Sequence, residues 1–177
     1  LFDIAQLRLE YSPDEYQNLL MCDFVDDIAS IFSLELMQSC LVDSWDVWED
    51  FQPELYRPYG HRPVWIGYDP AKGTEGGDSA GCVVIAPPVM FGGAFRILER
   101  HQWRGMDFRA QAEAIKQLTE RYNVEYIGID STGIGHGVYK SVQEFFPQVR
   151  EFVYNPVVKN ALVLKAWDVI NSGRLEF

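Results

Sequence analysis

No CxxC pair, no GxxxxGK[ST] loop and no uninterrupted apolar run of about 18 residues occurs in this chain. Each absence removes a class of function. Without a membrane-length apolar run, no span is expected. Without the phosphate-cradling loop, the chain holds no self-contained P-loop ATPase. No GxSxG turn leads from a strand into a helix, and the three cysteines, Cys22, Cys40 and Cys82, stand alone. Hydrolysis through a nucleophilic side chain is therefore unsupported, as are a zinc ribbon and a disulfide framework. Isolated thiols read as buried and structural, and a reducing, cytosolic setting is the default. No basic-then-apolar leader opens the chain. Its first residues, Leu1-Phe2-Asp3-Ile4-Ala5, and its last, Gly173-Arg174-Leu175-Glu176-Phe177, read as the ends of a fragment, the latter as a strand.

What is present is unevenly charged. The 177 residues carry a net charge of −11, and nearly half are apolar, the composition of a globular protein. Residues 1–60 hold 13 of the 26 acidic residues but only Arg8 and Arg57 of the basic ones, so they account for the whole excess. Residues 61–177 are balanced. This step divides the chain near residue 60 into an acidic part and a part able to face a polyanion.

Residues 1–60 read as mostly helical. Ser12-Pro13-Asp14-Glu15 has the form of a capping box with proline at the first helical position. A second helix is expected over 27–41, with Ile28, Ile31, Phe32, Leu34 and Met37 as its apolar face. Residues 43–53 suggest a short helix or turn, and 57–63 a linker broken by Pro58, Gly60 and Pro63. From Val64 the periodicity changes. Strands are expected at 64–69, 79–86 and 95–100, joined by turn-rich segments as an antiparallel meander. A helix follows over 107–122, then a strand at 126–130, a helix at 137–146, a strand at 149–154 and a helix at 160–170. The order β-β-β-α-β-α-β-α predicts an α/β mixed sheet with helices on both faces, preceded by the helical acidic segment.

Two aspartates stand out within that order. Asp69 ends Val64-Trp65-Ile66-Gly67-Tyr68-Asp69, and Asp130 ends Tyr126-Ile127-Gly128-Ile129-Asp130; each runs into a glycine-containing turn. A carboxylate at a buried strand end is costly to desolvate without a cation. If a right-handed helical crossover returns the fourth strand beside the first, in parallel, both acids leave the same sheet edge about 4.8 Å apart. Two hard oxygen donors at that spacing suit a divalent ion. The alternative is that each Asp caps local backbone amides as a turn residue. Asp78, after Gly76-Gly77, has the same two readings, as an accessory metal ligand or as a turn residue.

Gly133-Ile134-Gly135-His136-Gly137 follows a strand and opens a helix. Its spacing departs from the dinucleotide fingerprint GxGxxG, so its glycines read as permitting a tight turn and the close approach of a phosphate or metal-bound group. His136 would touch a phosphodiester there or stand in solvent. Arg96, Arg100, His101, Trp103, Arg104 and Arg109 cluster around the third strand and its exit, with Lys159 and Lys165 at the start of the last helix. They read either as a solvated surface or as guides for a phosphate backbone.

The segments Trp65-Ile66-Gly67-Tyr68-Asp69-Pro70-Ala71, Gly77-Asp78-Ser79-Ala80-Gly81 and Ile127-Gly128-Ile129-Asp130-Ser131-Thr132-Gly133-Ile134-Gly135, taken together, resemble the nuclease domain of bacteriophage terminase large subunits. The likeness is closest to the ATPase-nuclease subunit of P2-like tailed phages and prophages. It covers residues 64–177, while residues 1–60 look like the tail of that family's ATPase domain and its linker. It implies an RNase H-like fold and a metal-dependent endonuclease that cuts concatemeric double-stranded viral DNA with two Mg²⁺ or Mn²⁺ ions. Asp69 and Asp130 would be catalytic metal ligands, with Asp78 accessory; Arg104, Lys159, Lys165 and His136 would meet DNA. The third acid of the family's site is expected beyond residue 177, and Asp168 lies too early to supply it. The implied partners are double-stranded DNA, the terminase small subunit, the portal protein and the ATPase domain of the same full-length chain. The implied place is the packaging motor on the procapsid in the host cytoplasm. Two other readings remain: a non-catalytic RNase H-like module that docks DNA or the portal, and mononucleotide binding at the glycine turn.

Overall fold

The computed structural model describes residues 31–72 and 78–177. The predicted capping box at 12–15 and the glycine-rich turn at 73–77 lie outside these residues. The chain divides into two compact units, Leu1–Gln38 and Ser39–Phe177. The described part of the first holds helix α1, Leu34–Gln38.

The second unit is built on one six-stranded mixed sheet. Its strands are β1 (Pro63–Asp69), β2 (Ala80–Ala86), β3 (Phe95–Trp103), β4 (Asn123–Asp130), β5 (Arg150–Phe152) and β6 (Leu175–Glu176). They lie in the order β5-β4-β1-β2-β3-β6. β1, β2 and β3 form the expected antiparallel meander. β1 also pairs in parallel with β4, so the crossover returns where the strand order required it. Sequence periodicity places the strands correctly but misplaces some ends. β4 begins at Asn123, not 126, because edge-polar residues enter it before the apolar run; β3 extends to Trp103; β5 is shorter than expected.

Helices α2 (Ser44–Val47), α3 (Phe108–Arg121), α4 (His136–Phe145) and α5 (Pro156–Asn171) complete the unit. Asp107 caps α3 by accepting from the Ala110 N–H at 2.8 Å. Its stripe Ala112, Ile115 and Leu118 is buried, as are Val138 and Val142 of α4. These side chains join Val64, Ile66 and Tyr68 of β1 with Cys82 and Val84 of β2 in one core. Burial alternates along β1 and β2, so the intervening residues face the opposite side. There α5 supplies Leu162 to a cavity of about 510 Å³ floored by Trp65, Gly67, Val83 and Gly128. α5 starts at Pro156, earlier than the predicted 160, because Asn155 caps it by accepting from the Val158 N–H at 2.9 Å.

The charge step near residue 60 does not coincide with the packing boundary. Trp48 and Tyr59 are buried in the sheet's core. Asp50 pairs with Arg62 and, at 3.0 Å, with Arg96 of β3. Trp48 donates its ring N–H to Glu176 of β6 at 2.8 Å. The backbone of Phe177 exchanges hydrogen bonds with Cys40 and Val42. Asp50 of the acidic segment is thus neutralised by Arg62 and Arg96 from beyond residue 60. Between residues 31 and 60 the only described helices are the short α1 and α2. The expected helix over 27–41 is thus limited, in the described residues, to 34–38.

Candidate metal centre

β1 and β4 each end on an aspartate, and their parallel register pairs Tyr68 with Ile129. Asp69 and Asp130 are therefore next-in-line residues on neighbouring strands, whose spacing is about 4.8 Å. Both carboxylates line one open cavity of about 570 Å³ with Thr132, Tyr154, Lys159, Leu162 and Val163.

The two acids are held differently. Asp130 accepts from the Thr132 N–H at 2.8 Å, the amide-capping turn contact that its position after a strand suggested. Thr132 in turn accepts at Oγ1 from the Tyr154 N–H at 2.8 Å, tying the exit of β5 to the Asp130 loop. Burial raises the Asp69 carboxyl above the ordinary aspartate range, and the charges of Asp130 and then Asp78 raise it further. The Tyr154 hydroxyl is also raised, first by burial and then by Asp130 and Asp69. Burial and like charge thus make the ionised form of Asp69 costly where no cation lies beside it.

Asp78 lines a second cavity with Asp69, Lys72, Ser79 and Ile134. Among the described residues, no three His, Cys, Asp or Glu side chains come together in a metal-holding group. Asp168 is exposed on α5, paired with Arg174 at 3.1 Å. Ser79 completes a GxSxG spelling with Gly77 and Gly81, but it enters β2 instead of leaving a strand for a helix. Its hydroxyl accepts from Gln102 at 2.8 Å and Arg104 at 3.4 Å, so the motif is no nucleophile elbow.

The basic residues separate. Lys159, in the first turn of α5, shares the cavity with both aspartates. Arg104 stands over Ser79, one residue from Asp78. His136 is exposed, 3.9 Å from Glu151. Lys165, also exposed, is not among the residues that line the cavities holding Asp69.

The glycine turn serves the site from behind. Gly133 takes a left-handed φ of 62° and opens a single 3₁₀ turn, Gly133–Gly135. A Cβ on Gly135 would lie 2.0 Å from the Asp130 carbonyl oxygen and 3.2 Å from Pro70. The close approach that Gly135 permits is thus one between the chain's own two aspartate loops. Sequence reasoning missed Tyr154 and Leu162 as cavity walls. Asn155-Pro156, a cap followed by proline, was the signal that places α5 over them.

A family model, terminase RNaseH-like domain, matches residues 66–177. The whole chain is 60% identical over 177 residues to the terminase ATPase subunit of Escherichia phage P2, covering 30% of that protein. It is 43% identical over 178 residues to the probable terminase ATPase subunit of Haemophilus phage HP1, again over all of this chain and 29% of that one. The chain thus spans less than a third of the length of the curated relatives it matches. In fold it is similar to the large terminase nuclease of thermophilic phage G20c crystallised with bound magnesium. That match has a TM-score of 0.55 and 21% identity, and covers 72% of this chain and 60% of that one. The same nuclease with bound cobalt matches at a TM-score of 0.55.

Proposed function

The chain belongs to the terminase RNaseH-like domain family, and from that premise we propose that it is the metal-dependent endonuclease domain of a DNA-packaging terminase. The observation that carries the reading is the Asp69–Asp130 pair on adjacent parallel strand ends, facing one open cavity. Hard carboxylate oxygens in a shared site fit Mg²⁺ or Mn²⁺, and the raised Asp69 carboxyl fits a group whose charge awaits a cation. Relatives of the same fold crystallised with magnesium and cobalt support the ion class. When bound, two such ions would activate a water and stabilise the leaving oxygen of a phosphodiester.

In this proposal Asp69 and Asp130 hold the ions, and Asp78 adds negative charge beside them. The Thr132 amide keeps the Asp130 carboxylate turned to the cavity. Lys159 attracts a backbone phosphate to the same opening, with Arg104 placed to meet the strand near Asp78, while His136 and Lys165 would meet duplex further out. The substrate is concatemeric double-stranded viral DNA. The ATPase domain of the longer chain, the small subunit and the portal are its partners at the procapsid, in the host cytoplasm. Among the described residues, no helix is long and apolar enough to cross a membrane.

Calorimetric Mn²⁺ titration and a DNA-cleavage assay, each repeated with Asp69→Asn and Asp130→Asn, test the proposal. Loss of both binding and cleavage is expected. Unchanged Mn²⁺ binding in both variants would sink it.

The alternative is a docking module that binds DNA or portal without cutting. That reading predicts DNA affinity indifferent to both substitutions and to EDTA.

A further inference from the structure

Gln111 lies in the buried stripe of α3, whose other members are Ala112, Ile115 and Leu118, yet it is an amide only 1% exposed. Packing alone would be served there by an apolar side chain of the same length. What the amide adds is three hydrogen bonds. Its Nε2 donates to the Ala71 carbonyl at 2.8 Å and to the Met106 carbonyl at 2.6 Å. Its Oε1 accepts from the Tyr68 hydroxyl. Both amide protons meet carbonyls and the oxygen meets a hydroxyl, so only one orientation of the group satisfies all three partners.

The partners bracket one residue. Tyr68 immediately precedes Asp69, and Ala71 follows it by two. The Asp69 backbone is thereby fastened on both sides to a helix packed on the sheet's closed face, whereas its carboxylate faces the open one. A second contact completes the hold. Pro70 rests on Gly135, whose turn abuts Asp130, and Gly137 packs on Phe108 at the start of α3. Helix α3 therefore fastens the Asp69 loop, and α4 starts from the turn behind Asp130.

We infer that Gln111 is the positioning residue for Asp69, fixing that carboxylate beside Asp130 through the Ala71 carbonyl and the Tyr68 hydroxyl. The inference rests on the reading of the aspartate pair as a metal site. Gln111 touches neither metal nor substrate; it acts through the loop.

The test is Mn²⁺ affinity by calorimetry, with thermal melting in EDTA run alongside. Gln111→Met keeps length and apolar bulk but has no hydrogen bonds; it is expected to melt cooperatively and to bind Mn²⁺ about tenfold more weakly. Tyr68→Phe preserves the ring and removes one contact, and is expected to weaken binding about threefold. Ile115→Val softens the same helix without touching the loop, and Mn²⁺ affinity should stay at the wild-type value. Should Gln111→Met fail to fold, Tyr68→Phe against Ile115→Val decides. Wild-type-like affinity in Gln111→Met and Tyr68→Phe overturns the inference and leaves the metal reading intact. Equal weakening by Ile115→Val also overturns it, because the role would then be structural. Absence of Asp69-dependent Mn²⁺ binding in the unaltered chain overturns the metal reading and the inference with it.

Discussion

Gly135 stands so close to Asp130 that a Cβ on it would lie 2.0 Å from the aspartate's carbonyl oxygen, with Pro70 3.2 Å away on its other side. That carbonyl is backbone and cannot swing aside. Gly135→Ala must push the Asp130 loop off β1, the Pro70 loop off the turn, or both. The expected cost is about 2–4 kcal/mol in urea melting, with loss of Mn²⁺ binding. At Gly81 a Cβ would meet nothing within 4 Å, so Gly81→Ala should change stability by no more than about 0.5 kcal/mol.

Without a cation, the aspartate pair works against the fold. Asp69 is partly buried and feels the like charges of Asp130 and Asp78. Asp69→Asn should therefore raise the melting temperature in EDTA at neutral pH, by an amount worth no more than about 1 kcal/mol after solvent screening. Adding Mn²⁺ should reverse the ranking, raising the wild-type melting temperature and leaving the variant's unmoved. A variant less stable than wild type in EDTA would contradict the argument.

Lys159 and Lys165 lie on one helix and differ in where they face. Lys159→Ala should weaken duplex DNA binding and reduce the slope of log affinity against log salt by about 1, as expected for one lost phosphate contact. Lys165→Ala should leave affinity near the cavity much less affected. Filter binding across a salt series distinguishes them.

Glu99 gives the fold an acid-sensitive joint. Burial opposes its ionisation, but hydrogen bonds from His101 at 3.0 Å and Tyr122 at 2.5 Å, with the Arg121 charge at 3.1 Å, outweigh it and hold its carboxyl below the ordinary glutamate range. A lowered folded-state value means the stabilisation is complete above the ordinary glutamate value of 4.5 and is lost as pH falls through the folded value. Glu99→Gln should cost about 1–3 kcal/mol at pH 7 and flatten the loss of stability below that range. Melting temperatures from pH 7 down to 3 check it.

The aspartate pair was legible because strand order alone predicts which strands adjoin. Three antiparallel strands and a helical crossover leave few places for β4, and Asp69 and Asp130 sit at ends that only parallel pairing would bring together. Gln111 was not legible. A polar residue amid a helical pattern reads as solvent-facing, and two of its three partners, Ala71 and Met106, offer only backbone carbonyls, which every residue has. The pairing of β6 with β3 depends on two residues, too few for any periodicity. The ion pairs across residue 60 were not legible for a related reason: net charge reports what a segment repels, whereas Asp50 is neutralised by Arg62 and Arg96 from beyond the charge step.

The parallel pairing of β1 with β4 also sets an order of events in time. β1 meets β2 across a short connection, but it meets β4 only when Pro63 finds Asn123. Hairpins close quickly and distant strands slowly, so the meander is expected to form first. Pulse-labelled hydrogen exchange should protect β1–β2 amides before β1–β4 amides, and simultaneous protection would contradict this. On a ribosome, Asp69 would then be folded into its strand before Asp130 joins it, and the proposed cation site would come into being only as the domain closes.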